Sequence, residues 1–179
     1  MAVPWISMAG AVSGTSLTGI ELPARMRSDA GPLELIVCGV RDSLWIEHYV
    51  AGLYVSVGAS TQAAADTRRA KGVRLHVLES AYLPTDIPDK WRKALKEVID
   101  EEPLARIGAA YRKISTGDVL RIVYDPQSAV TITLNSELVA YVPGHRVVDS
   151  ILSTWAEHQP VGEKLARLAI EHPCGSAAR

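Results

Sequence analysis

The stretch SLWIEHYVAGLYVSV, residues 43–57, constrains the fold more than any other part of the chain. It is rich in β-branched and aromatic side chains, which favour a pleated, half-buried surface. Its length and composition read as one long strand, with a bend near Gly52. GPLELIVCGV, residues 31–40, reads as a second strand opened by Gly-Pro, and SLTGIELP, residues 16–23, as a short one. Between the two long strands stands Arg41. A guanidinium is always charged, carries five donors in a planar fork, and is costly to bury without partners. Arg41 therefore turns outward at a bend, pairs with a local acid such as Asp42, or faces an anion that the protein holds.

The rest of the chain alternates between the two periodicities. STQAAADTRRAKG, residues 60–72, reads as a helix capped by Ser60 or Thr61 and stopped by Gly72. VRLHVLE alternates, with Val73, Leu75 and Val77 on one face. A helical hairpin follows: Thr85 or Asp86 can cap it, and Pro88 suits a first turn. Trp91, Ala94, Leu95, Val98 and Ile99 form one apolar stripe, which Leu104, Ile107, Gly108 and Tyr111 continue after Pro103. GDVLRIVYD and AVTITLN form a β-hairpin, and SELVAYVPG adds a third strand. Val130, Ile132 and Leu134 oppose Thr131 and Thr133, as in an antiparallel sheet with one apolar face. Two helices close the chain: HRVVDSILSTWAEH, striped by Val147, Val148, Ile151 and Trp155, and VGEKLARLAIEH. Strands in two groups with helices between and after them predict an α+β fold, a large mostly antiparallel sheet with helices packed on one face.

The 179 residues suit one domain with a real core. Formal net charge is −1, which gives no reason to expect nucleic acid or an anionic membrane surface as partner. No run approaches the roughly 18–20 apolar residues of a spanning helix. Phe is absent, so Val, Leu, Ile and Ala must build the core, with Trp and Tyr adding bulk. Residues 1–16 read as a flexible arm or leader remnant, although a positive n-region is missing. Residues 17–171 read as the domain and 172–179 as a disordered tail. Cys38 in an apolar strand and Cys174 in the tail read as free thiols rather than a bridge. No CxxC or HxxxH spacing suggests a metal site.

Catalytic motifs are scarce. GxSxG, the P-loop and GxGxxG are all absent. His145 and Asp149, at i and i+4, read as a surface pair, since no nucleophile motif accompanies them. His76 reads as a half-exposed strand residue. His48 and Tyr49 lie on the long strand near Arg41 and have first claim to a structural role. The charged stretch DKWRKALKEVIDEE reads as a solvated helix face.

The order of several short motifs resembles the chalcone isomerase family, especially its bacterial isomerase-like members. Leu22-Pro23 ends a strand. Gly39-Val40-Arg41 matches a GVR turn, and Gly52-Leu53-Tyr54 matches the close of an aromatic strand. STGDVLRIVYDPQSAVTITLNSELVAYV resembles the family's following strands, with Ser136 where a glycine is usual. SILSTWAEHQPVGEKLARLAI resembles its terminal helix pair, with Ala156 and Glu157 as departures. The resemblance spans roughly residues 17–170 and implies an open-faced β-sandwich with a ligand cleft between sheet and helices.

It also implies roles. In the plant isomerases the GVR arginine meets a developing oxyanion, and in the fatty-acid-binding branch it grips a carboxylate; Arg41 matches that position, and a guanidinium fork suits either task. The family's catalytic tyrosine aligns with Ile87, although Tyr82 lies five residues earlier. Its asparagine aligns near Ala94 and its threonine near Tyr49. Only the hydroxyl of the penultimate helix is kept, as Thr154 or Ser153. The expectation is a non-catalytic binding protein for a small apolar carboxylate, with Arg41, Tyr49, Tyr54 and Thr154 as ligand-binding residues and no cofactor. One alternative is an isomerase or intramolecular lyase acting on an enone- or flavonoid-like substrate through Arg41. Haem, ligated by His48 or Tyr49, is a further alternative. Export of many bacterial relatives implies a periplasmic location.

Overall fold

A computed structural model describes residues 14–43, 46–59 and 64–156. The chain opens with a small hairpin, β1 (Thr15–Leu17) and β2 (Ile20–Leu22), turned by Thr18 and Gly19 at positive φ. Seven strands then form one antiparallel sheet in sequence order. They are β3 (Arg25–Ser28), β4 (Gly31–Ser43), β5 (Ile46–Ser56), β6 (Lys71–Val77), β7 (Val119–Tyr124), β8 (Ala129–Leu134) and β9 (Glu137–Pro143). Between β6 and β7 the chain inserts α1 (Asp89–Lys96) and α2 (Glu101–Tyr111), and α3 (Arg146–Ala156) follows β9. The α+β architecture, helices against one face of a curled antiparallel sheet, is the predicted one. The expected last helix, the tail and the N-terminal arm up to residue 13 lie outside the described residues.

The predicted single strand at 16–23 is a hairpin instead, because two residues at positive φ reverse the chain. The predicted helix at 60–72 is also overturned where it is described. Asp66 accepts the Arg68 backbone N–H at 2.9 Å, a local turn that competes with helix. Lys71 and Gly72 already belong to β6, paired with β5 and β7 on either side. Two flanking ladders outweigh a weak local helix propensity. A Cβ at Gly72 would crowd the end of the Met26 side chain, which would have to shift. In the helical hairpin the break falls at residues 97–100, and Pro103 sits in the first turn of α2, where its missing N–H costs nothing.

The sheet has apolar side chains on both faces. Val37, Leu53, Val73, Ile122, Val130 and Ile132 face the helices and meet Leu95, Leu104, Val148 and Leu152. We call this side the front. On the back, Leu33, Leu35, Val50 and Tyr54 form a smaller core with Leu22 and Met26, with Leu17 and Ile20 of the hairpin packed against it. Register shifts between Leu35 and Val37 and between Arg41 and Asp42 mark irregularities in the β4–β5 ladder; such bulges bend a strand and raise its twist.

Candidate functional site

Arg41 and Tyr49 are direct cross-strand partners on β4 and β5. Both turn to the front, because Val37 two pleats earlier and Leu53 two pleats later do so. Arg41 is exposed and Tyr49 half-buried. They border a cavity of about 410 Å³ at the open end of the sheet, between it and the helices. Leu75, Val77 and Leu120 form its floor, Trp91 and Tyr111 its helical wall, and Tyr82, Leu83 and Pro84 its outer rim. The volume lies within the usual range of small-molecule sites, roughly 300–1,000 Å³.

A second, smaller void shares part of its wall. Trp91, Tyr111, Ile114 and Leu120 also line a narrow slit of about 40 Å³ deeper between sheet and helices. Its other walls include Ile87, Leu95, Ile107, Ile122, Ile132 and Ile151, all aliphatic. A cavity with a charged residue at its mouth thus shares a wall with an aliphatic slit. Such an arrangement suits an amphiphile with one anionic end.

The electrostatics centre on phenols. Burial pushes the Tyr49 hydroxyl above its ordinary pKa, against the opposing pull of the Arg41 charge. Tyr111 is raised by burial, with Tyr49 and Asp86 adding to the shift. Both therefore stay protonated at neutral pH and can donate to an acceptor oxygen. The rim is tied down by Asp86, which accepts from Arg92 at 2.8 Å, from Arg112 at 3.4 Å and from the Ile87 backbone at 2.8 Å. One carboxylate thereby links the rim loop to α1 and to the end of α2.

The expected site residues divide. Arg41 and Tyr49 meet at the cavity, and His48, the other residue weighed as an iron ligand, also borders it. Tyr54 does not reach the cavity. It lies on the back face, fully buried, and donates to the Pro23 carbonyl at 3.0 Å. The period-two alternation of β5 separates it from Tyr49, five residues away. Thr154 falls in α3, and its side chain lies outside the described residues. Ile87, which the family resemblance set against a catalytic tyrosine, is buried and lines the slit, while Tyr82 sits exposed on the rim. Trp91 and Tyr111 were legible only as members of an apolar helical stripe; their bulk was the one available hint of a cavity wall.

One further residue departs from expectation. Cys38 is disulfide-bonded rather than free, and the chain's other cysteine, Cys174, lies outside the described residues. Spacing in sequence carries no information on which cysteines the fold brings together. His145 and Asp149 do pair, at 2.6 Å, but Asp149 also bonds Lys71 at 3.4 Å. Lys71 has no exposed surface, donates to the Ala64 carbonyl at 2.6 Å, and is held below the usual lysine pKa by burial. The pair therefore helps tie α3 to the sheet. No group of three or more metal-ligating side chains occurs among the described residues.

A family model described as chalcone isomerase-like matches residues 14–168. Among solved structures, the chain is similar to a fatty-acid binding protein of Arabidopsis thaliana, with a TM-score of 0.55 and 19% identity. That match covers 85% of this chain and 94% of the plant protein. No curated protein matches the sequence.

Proposed function

Because the chain belongs to the chalcone isomerase-like family, we propose that it is a ligand-binding member, holding an apolar carboxylate such as a fatty acid in the front cavity. The observation that carries this reading is the cavity itself: Arg41 and Tyr49 at its mouth, and Leu75, Val77, Leu120 and Trp91 along its walls. The Arg41 fork donates to both carboxylate oxygens, and the Tyr49 hydroxyl donates a further hydrogen bond. The hydrocarbon tail lies in the cavity against Leu75, Leu120, Trp91 and Tyr111. The fatty-acid binding named for the plant structure agrees with this chemistry. Ile87 in the slit supplies apolar wall where a catalytic phenol would be needed, which favours binding over cyclisation.

Organic-solvent extraction of the purified protein, followed by mass spectrometry, tests this reading. Wild type should release a long-chain acid and Arg41→Ala should not. Added palmitate should bind wild type about tenfold or more tightly than Arg41→Ala, as expected for a lost charge-assisted hydrogen bond. Equal affinity in the two proteins would remove Arg41 from the site. An empty wild type that also ignores palmitate would sink the carrier reading. We further infer an oxidising compartment, such as the periplasm, supported by the disulfide at Cys38. Alkylation of the denatured, unreduced protein should then leave Cys38 unlabelled.

A further inference from the structure

The back face of the sheet carries an arrangement that neither the core nor the front cavity explains. Arg74 on β6 stands directly opposite Arg121 on β7, and Arg121 stands directly opposite Thr133 on β8. Directly opposed side chains have Cβ atoms about 4.5–5.5 Å apart, and like charges so placed repel. Each of the three has a buried polar atom with no hydrogen-bond partner: the Nε of Arg74, the Nε of Arg121 and the Oγ1 of Thr133. No carboxylate pairs with either arginine among the described residues. Unpartnered buried donors are rare and each needs a cause. Here three occur side by side in one transverse row.

The row is closed at one end and open at the other. Toward β5 it meets Gly52, paired with Arg74 and packed against Leu35, Tyr54 and Leu22 of the back core. At its other end Leu138 on β9, opposite Thr133, is 66% exposed, so the row opens to solvent at the sheet edge. Arg74 and Arg121 are themselves partly accessible. Their positive field reaches the neighbours. It pulls against the burial that raises Tyr54, while burial, helped by the Arg74 charge, holds His76 below its ordinary pKa.

We propose that Arg74, Arg121 and Thr133 form a second site, for an oxyanion of the phosphate class, on the face opposite the proposed lipid cavity. Two guanidinium forks supply the charge and several parallel donors, and the Thr133 hydroxyl adds one more. A tetrahedral oxyanion offers enough oxygens to take all of them at once, which a single carboxylate does not. The anion also cancels the repulsion between the arginines. The phosphoryl group can come from a free phosphate compound or from a lipid headgroup.

The test compares wild type, Arg74→Gln, Arg121→Gln and Arg41→Ala in chloride buffer at constant ionic strength. Inorganic phosphate is titrated while melting temperature and phosphorus NMR linewidth are followed. Phosphate should raise the melting temperature of wild type and Arg41→Ala alike. Its apparent affinity should fall about tenfold or more in each back-face variant. The arginine Nε–Hε signals of wild type should move on addition of phosphate, a readout that needs no variant to fold. Phosphatidic acid vesicles in a phosphatidylcholine background form the second arm. Co-sedimentation lost in Arg121→Gln identifies a headgroup, and a response to phosphate alone identifies a free ligand. The proposal falls if neither probe shifts any Nε–Hε signal. It also falls if the response survives both glutamine variants, or disappears only with Arg41→Ala, which would assign the anion to the front cavity.

Discussion

The front and back of one sheet bury their side chains against very different cover. On the front, β4–β8 meet three helices, and the apolar layer runs unbroken from Val37 to Leu152 until it opens at Arg41. On the back, the β1–β2 hairpin packs against the core around Leu22 and Tyr54, while β6–β8 present Arg74, Arg121 and Thr133. The front places its arginine at an exposed margin, where water screens the charge. The back places two in mid-sheet, where an unsatisfied donor is costly. The difference teaches that a charged residue on a strand is informative through its depth and its neighbours. Its mere presence in an apolar run says much less.

The largest effect should come from the front core. Leu53→Ala removes a fully buried side chain facing the helices and should cost about 3 kcal/mol in urea denaturation. A cost below 1 kcal/mol would mean that the front is loosely packed and that its cavity extends further than described. The back core is tested by overpacking. A Cβ at Gly52 would lie 3.0 Å from Leu35, 3.1 Å from Tyr54 and 3.3 Å from Leu22. Gly52→Val should therefore destabilise by about 2 kcal/mol. An unchanged midpoint would show that the hairpin is free to move aside.

Tyr54 sharpens the comparison through pH. Burial pushes its pKa up to about 12, from the ordinary tyrosine value of about 10. A raised folded pKa means that the neutral phenol is favoured in the fold. Its stabilisation is complete below pH 10 and is lost as pH rises through 12. Tyr54→Phe should cost about 1 kcal/mol at neutral pH through the lost bond to Pro23, and should flatten part of the alkaline loss between pH 10 and 12. An unaltered alkaline limb would assign that loss to Tyr49 and Tyr111 on the front.

The smallest change should be a gain. Asn135 and Ser136 both have positive φ in the two-residue turn between β8 and β9. Asn tolerates that region and Ser does so poorly, so Ser136→Gly should stabilise by up to about 1 kcal/mol, read as a higher melting temperature. A lower melting temperature would show that the serine side chain supports the turn in some other way.

Much of the front was legible in the sequence. The strand alternation through Val73–Val77 and Val130–Leu134, the stripe from Trp91 to Tyr111, and the Arg41–Tyr49 neighbourhood all follow from side-chain period and the length of the apolar runs. Their order was enough for the fold class and for the family. Tyr54 shows the limit. Its motif pointed to the same site as Tyr49, yet strand parity sends it to the other face.

What tertiary structure alone decided is the pairing. Lys71 and Gly72 carry a weak helical signal that two flanking ladders override. Arg74 is separated by a long stretch of chain from Arg121 and Thr133, which share one hairpin, and each looks like an ordinary polar residue of an alternating strand. Only the register of β6, β7 and β8 brings them into one row. Period and composition are local properties, so the sequence by itself determined the elements and which side chains share a face within each. Register is set by long-range packing, so which faces meet, and which charges are left without partners, emerges only when the sheet closes.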